Sequence, residues 1–211
     1  MDTGFILPRA ASVSDPLRLA VLISGSGSGL KSLLRHQSAG SRMHTTVLVI
    51  SDRENAGGLQ HGIDAGVKTV TVSLPKNIAP IEQRAIHERE IHGLLNAHEV
   101  ELVILSGYMR ILTPWLVGKW KGRILNIHPS LLPDFPGAHA HRDVLSAGAE
   151  VTGCTVHLVD EGVDTGPILA QRIVQVRSDD DEESLQERVK KVEHSLYPEI
   201  IDLISSGEVS L

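Results

Sequence analysis

Apolar positions along this chain follow two rhythms. Short apolar runs at 17–23, 45–51, 68–72, 101–106 and 122–125 are bounded by glycine and polar residues and read as strands. Between them, spacings of three and four residues predict helices. Leu30, Leu33 and Leu34 open one, a second runs from about Gly57 to Ala65, and Ile86, Ile91, Leu94 and Leu95 mark a long one over 81–98. A short helix from Pro114 leads to the run at 122–125. Strands alternating with helices at this spacing predict right-handed βαβ units. The fold class is therefore α/β: a Rossmann-like, mostly parallel sheet with helices on both faces.

Past Pro136 and Gly137 the rhythm changes. Residues 138–148 read as a helix, and 151–159 then alternate as a strand with Thr155 and His157 on one face. A polar turn at 160–167 and a second strand at 168–176 predict an antiparallel pair added to the parallel part. A C-terminal helix over 184–205 shows Leu185, Val189, Val192, Leu196 and Ile200 inward. Ser184 is its expected N-cap, with the acidic run 179–183 beside a positive helix end. Residues 1–16 lack periodicity and are expected to be a flexible N-terminal extension, leaving 17–211 as a single domain.

Composition narrows the function. Of 211 residues, 41% are hydrophobic and 22% charged, which is the balance of a globular chain with room for a sizeable core. Aromatics at 3% supply too few rings for a base-stacking surface, and a net charge of -6 disfavours broad contact with nucleic acid or anionic membrane. No partner of either kind is expected, and an anionic small molecule must meet basic residues placed locally. Cys154 is the only cysteine, which rules out an internal disulfide or a thiolate zinc cluster within one chain. With no long apolar run and no signal-peptide pattern at the N-terminus, a cytoplasmic location is expected. A homodimer is compatible with the sequence, which does not fix the oligomeric state.

Two stretches carry chemistry. The first strand runs straight into Ser24-Gly25-Ser26-Gly27-Ser28-Gly29 and then a helix, so free backbone N–H groups gather at a positive helix end suited to phosphate. In the second, Asn126 and His128 stand two apart on an extended strand and share a face, with Pro129 holding His128 extended. An amide donor beside an imidazole can stabilise an oxyanion and move a proton. Both stretches fall at carboxyl ends of parallel strands, where such sheets bind ligands. His139, His141, His128 and His157 lack a carboxylate at ligand spacing, so no metal is expected.

Taken together, 25–29, Gly107-Tyr108-Met109-Arg110-Ile111-Leu112, Asn126-Ile127-His128-Pro129-Ser130-Leu131-Leu132-Pro133, and Asp164 with Gly166 and Pro167 resemble the folate-dependent formyltransferases. The resemblance covers residues 17 to about 204. It implies transfer of the formyl group of 10-formyltetrahydrofolate to an amine, without metal. Within the family, the glycine loop, the single-domain length and the helix with Lys190 and Glu193 point to glycinamide ribonucleotide as acceptor. A methionyl-tRNA formyltransferase would be expected to add a C-terminal domain, and a formyltetrahydrofolate hydrolase an N-terminal regulatory one.

Residue by residue, the resemblance gives Asn126, His128 and Asp164 as the catalytic trio. Ser26, Gly27, Ser28, Gly29, Arg84, Lys190 and Glu193 match positions around the substrate's phosphate and ribose. Met109, Arg110, Ile111, Leu112, Val159 and Asp160 match the folate pocket, with Thr155 and His157 supporting. Many members have Asn at the position of Gly29 and Phe at that of Tyr108. Loss of the Asn side chain is expected to weaken orientation without abolishing function, because phosphate is gripped there mainly by backbone N–H groups.

Overall fold

The computed structural model describes residues 4–211. Five strands, β1 (Leu17–Ile23), β2 (His44–Ser51), β3 (Lys68–Thr71), β4 (Leu102–Leu105) and β5 (Ile124–His128), pair in parallel. β6 (Val151–Leu158) and β7 (Ile168–Gln175) continue the sheet antiparallel, giving the order β3-β2-β1-β4-β5-β6-β7. The helices are α1 (Ser28–Ser38), α2 (Gly58–Asp64), α3 (Pro80–Ala97), α4 (Pro114–Lys119), α5 (Ala140–Ser146) and α6 (Glu182–Ser206).

β1 is buried on both faces, which is why its sequence is a nearly unbroken apolar run. Its period of two divides the core. Leu17, Leu19, Val21 and Ile23 join Leu30 and Leu33 of α1 and Leu185, Val189 and Ile201 of α6. Ala20 and Leu22 face the other way, onto Ile91 and Leu95 of α3 and Leu116 of α4. Each such fully buried large aliphatic side chain contributes about 1.5–3 kcal/mol relative to exposure. The switch in strand order lies between β1 and β4, so the chain leaving each strand diverges and opens a crevice at their carboxyl ends.

Two expectations about the helices are corrected, and residues 4–16 make specific contacts with the rest of the chain. Ala11 N–H donates to Ser205 O at 2.8 Å, Arg9 pairs with Glu101 at 2.6 Å, and Lys121 lies 4.9 Å over the Phe5 ring. Their apolar members Phe5, Leu7 and Ala11 pack on the core individually and so leave no periodic trace. The first three residues of the expected extension lie outside the described part. The α6 N-cap is Asp181: its side chain accepts from Ser184 N–H at 2.8 Å while Ser184 Oγ accepts from Asp181 N–H at 3.0 Å. Ser184 is thus the third residue in a reciprocal capping box. On α3 the inward stripe is His87, Glu88, Ile91 and Leu95, with Ile86 41% exposed. Each of the polar pair has a partner that lets it face inward, although His87 Nδ1 makes no hydrogen bond among the described residues. His87 Nε2 is hydrogen-bonded to the Tyr108 hydroxyl at 2.7 Å, and Glu88 accepts from the backbone N–H of Thr113 at 2.6 Å and from its hydroxyl.

Pro198 sits inside α6 and removes the N–H that would reach His194 O. Ser32 Oγ of α1 donates to that carbonyl at 2.8 Å instead, so the break in one helix's ladder becomes a joint between two helices.

Candidate active site

The crevice at the carboxyl ends of β1, β4 and β5 is a cavity of about 730 Å³. Its first wall is the glycine loop. α1 starts without a side-chain cap or an acidic residue in its first turn, leaving its first N–H groups unpartnered within the helix. Gly27 takes φ 67, and a Cβ there would fall 2.6 Å from Gly58 Cα of α2, so the turn packs backbone to backbone. A Cβ at Gly29 would fall 2.5 Å from Ser106 Oγ. The missing Asn side chain is therefore matched by a serine hydroxyl filling its path.

α6 closes the same end. Lys190, Glu193, His194 and Tyr197 lie on one stripe and line the cavity. Lys190 Nζ is steadied by Gln186 Oε1 at 3.0 Å and Glu187 Oε1 at 3.3 Å, and His194 Nε2 lies 3.2 Å from Ser28 Oγ. The buried Tyr197 hydroxyl sits between the carbonyls of Leu105 at 3.0 Å and Leu125 at 2.7 Å, holding the ends of β4 and β5 together. Burial, only partly offset by Lys190, pushes the Glu193 carboxyl up to about 7.

This has a measurable consequence. The folded chain keeps the Glu193 proton to about pH 7, whereas an unfolded glutamate releases it near its ordinary value of 4.5. Stability is therefore expected to fall as pH rises across that window, by on the order of 2 kcal/mol after allowance for water in the cavity. Glu193→Gln should flatten the slope, which denaturant melts at a series of pH values would read.

The loop after β4 forms the opposite wall. Met109 and Ile111 are 61% and 63% exposed and line the cavity, so they are pocket rather than core, while Leu112 anchors the loop in the core. Ser24 binds this loop to the glycine loop, accepting from Met109 N–H at 2.9 Å. Arg110 lines the cavity, but its Nε faces buried Asp52, 2.7 Å from Oδ2, without alignment for a hydrogen bond. Arg110, expected in the folate pocket, is thus also paired with an internal carboxylate. Val159 and Asp160 complete this wall. Asp160 is stiffened by Gly162 N–H at 3.1 Å and Thr165 Oγ1 at 2.8 Å.

Asn126, His128 and Asp164 meet between the walls. Asp164 Oδ2 lies 3.3 Å from His128 Nδ1 and accepts from Gly137 N–H at 2.9 Å. His128 Nε2 donates to Phe135 O at 2.8 Å. Both ring nitrogens therefore face acceptors, an arrangement that a doubly protonated imidazolium satisfies. Asp164 and Phe135, which hold the ring from its two sides, both adopt left-handed backbone, φ 56 and 54. Backbone strain at a pair of clamping residues is typical of sites whose geometry the fold enforces. For Asp164, burial opposes ionisation but is outweighed by the contact with His157, the Gly137 N–H and His128, so its carboxyl lies below the usual value.

Behind this group, β6 supplies support. β5 and β6 pair Asn126 with His157 and His128 with Thr155. His157 Nδ1 donates to Leu158 O at 3.0 Å, and its Nε2 lies 3.1 Å from the Asn126 amide nitrogen and 3.6 Å from Asp164 Oδ1. One Asn126 N–H is thereby fixed and the other is free to point elsewhere. Thr155 Oγ1 donates to Ser130 O at 2.7 Å and accepts from Leu132 N–H at 3.0 Å, fixing the chain after His128.

Every residue expected in the site lines the cavity except Thr155, which acts from behind, and Arg84. Arg84 is exposed on α3: it extends the inward stripe of that helix by one turn, past the part that is covered. Sequence reading missed His194, Ser106, Tyr197 and His141, all of which line the cavity. His194 and Tyr197 stood on the Lys190–Glu193 stripe and were recoverable from helical spacing; Ser106 carried no signal.

The sequence profile of the Formyl transferase family matches residues 17–201. A trifunctional purine biosynthetic protein adenosine-3 of Bos taurus is 44% identical over 194 residues, 92% of this chain and 19% of that protein. The Drosophila melanogaster protein of the same name is 43% identical over 192 residues, 90% of this chain and 14% of that one. The chain thus spans less than a fifth of the length of these curated relatives. Among solved structures, glycinamide ribonucleotide transformylase 1 from Symbiobacterium toebii aligns with a TM-score of 0.86 at 40% identity, covering 93% of this chain and 91% of that one. Phosphoribosylglycinamide formyltransferase from Brucella melitensis aligns with a TM-score of 0.82 at 42% identity, covering 93% and 98%. With the profile spanning nearly the whole sheet and both walls of the cavity, this chain belongs to the formyl transferase family.

Proposed function

We propose that this chain transfers the formyl group of 10-formyltetrahydrofolate to the amine of glycinamide ribonucleotide, a step of purine synthesis. The observation that carries this reading is the Asn126–His128–Asp164 group standing between an uncapped glycine-loop helix end and an apolar wall of Met109 and Ile111. The first end suits a sugar phosphate, with Lys190 beside it. The second suits a flat heterocycle, with Val159 and Asp160 completing the wall. Solved relatives that bear the transformylase name and cover nearly the whole chain support the same acceptor.

In the reaction the amine attacks the formyl carbon and a tetrahedral oxyanion forms. The free Asn126 N–H donates to that oxygen. His128 is held short on its Nε2 side, 2.8 Å, and long on its Nδ1 side, 3.3 Å, so the Nδ1–H is the donor a developing oxyanion can share. Donors of this kind lower a barrier by about 3–4 kcal/mol each. Ionised Asp164 stabilises the imidazolium and accepts the amine proton through a water on its way to the departing folate nitrogen. Proton balance closes without a metal. The single cysteine, Cys154, is buried with its thiol pushed up to about 12 by burial, an inert group in keeping with a cytoplasmic enzyme.

The deciding experiment follows tetrahydrofolate release spectrophotometrically, with and without glycinamide ribonucleotide. Release that requires the amine supports the reading. Release in water alone indicates a hydrolase, and binding of both ligands without release indicates a non-catalytic module.

A further inference from the structure

Outside the cavity, the end of α1, the start of β2 and the last turns of α6 bring together two imidazoles and one carboxylate. His36 Nε2 lies 2.7 Å from Asp202 Oδ2, and His44 Nε2 lies 2.9 Å from Asp202 Oδ1. The rings stack, with centroids 6.2 Å apart and planes 9° from parallel, and each Nε2 faces one oxygen of the same carboxylate, as the N–H donor when no ion is bound. All three ligating atoms lie within 4.8 Å of one another. None of these residues lines the cavity.

We propose that His36, His44 and Asp202 form a divalent-metal site, suited to zinc, that clamps α1 and β2 onto α6. Two imidazole nitrogens and one carboxylate oxygen are a donor set that zinc takes, with water in the fourth tetrahedral position. Tetrahedral ligands at zinc distances stand about 3.3 Å apart, so each Nε2–O contact needs to open by roughly half an ångström. The partner that orients a metal-bound histidine is also present. Gln37 Nε2 lies 2.9 Å from His44 Nδ1. Reversing that amide lets Oε1 accept from Nδ1–H and frees His44 Nε2 for the ion, giving up only a 3.4 Å contact with Thr46 N–H. The clamp joins the two helices whose other ends frame the glycine loop, since Ser28 and Lys190 belong to the same pair.

The competing cation is Arg42, whose Nη1 lies 3.5 Å from Asp202 Oδ2 and whose side chain is 30% exposed. It gives the test two opposite signs. Tag-free, chelator-treated protein would be titrated with Co²⁺, reading the visible d–d band and its displacement by Zn²⁺. The expected result is a saturable one-to-one signal in the natural chain, with affinity lowered at least about tenfold by His36→Gln and raised by Arg42→Gln. His36 is the ligand to change because it is 26% exposed and its loss spares the fold, whereas His44 is buried. Free Zn²⁺ at a hundredfold excess over its Kd should raise Tm by roughly 5–10 °C in the natural chain and not in His36→Gln. Absence of a one-to-one signal in the natural chain overturns the site, even if Arg42→Gln gains one. A signal unchanged by His36→Gln also overturns it and assigns the ion to other surface histidines.

Discussion

Asp164→Asn is expected to lower turnover by about 10²–10⁴-fold while leaving the fold intact. Asn is among the few side chains that accept a left-handed backbone, so φ 56 at this position is retained. Its Oδ1 can still accept from the Gly137 N–H that holds the carboxylate at 2.9 Å. What disappears is the negative charge 3.3 Å from His128 Nδ1, together with the ability to carry a proton. The imidazolium then has no counter-charge, and the amine proton has no acceptor on its way to the folate nitrogen. Stability should respond differently from activity. A carboxyl held below its ordinary value stabilises the fold above the unfolded value of 3.8, and this stabilisation is lost as pH falls through the folded value. The variant should therefore show a smaller drop in stability between pH 7 and pH 3 than the natural chain. Single-turnover rates paired with acid melts separate the two effects. Turnover within threefold of the natural chain would remove Asp164 from the chemistry.

Much of this architecture was legible because the strands are short, apolar and punctuated. β1, buried on both faces, matches its expected span of 17–23, and the alternation at 151–159 gave β6 with Thr155 and His157 correctly on one face. Asn126 and His128 followed from the two-residue period of an extended chain. The parts that were not legible depend on distant partners. α3 turns His87 and Glu88 inward only because Tyr108 and Thr113 are there to meet them, and no periodicity scale anticipates a satisfied buried glutamate. Arg110 looked like a free cation until the fold brought Asp52 to within 2.7 Å from the end of β2. Residues 4–16 look unstructured because each apolar side chain finds its own niche. His36 and Asp202, 166 positions apart, are a pair only in three dimensions. Arg84 is the converse case: its expected place came from a family pattern, and the structure shows it exposed on α3, outside the cavity lining.

Asn126→Ala should reduce kcat by about 10²–10³-fold with a much smaller change in KM, because the lost donor acts on an oxygen that is charged only in the transition state. The alternative explanation, that Asn126 merely braces His157, makes a different prediction. His157 Nδ1 is already held by Leu158 O at 3.0 Å, so removing the amide from Nε2 leaves the ring in place, and the open cavity lets water accept the vacancy. A bracing role would thus show as lost stability with little loss of rate. Asn126→Asp sharpens the comparison. It is nearly isosteric, yet it replaces a donor with a second carboxylate close to Asp164 and opposite the growing negative charge. If the donor role is right, Asp at this position is worse than Ala, although Ala removes more atoms. The order of the two rate constants, measured at saturating substrates, is what decides: Asp faster than Ala would mean that shape alone matters at position 126, and the oxyanion would need another donor.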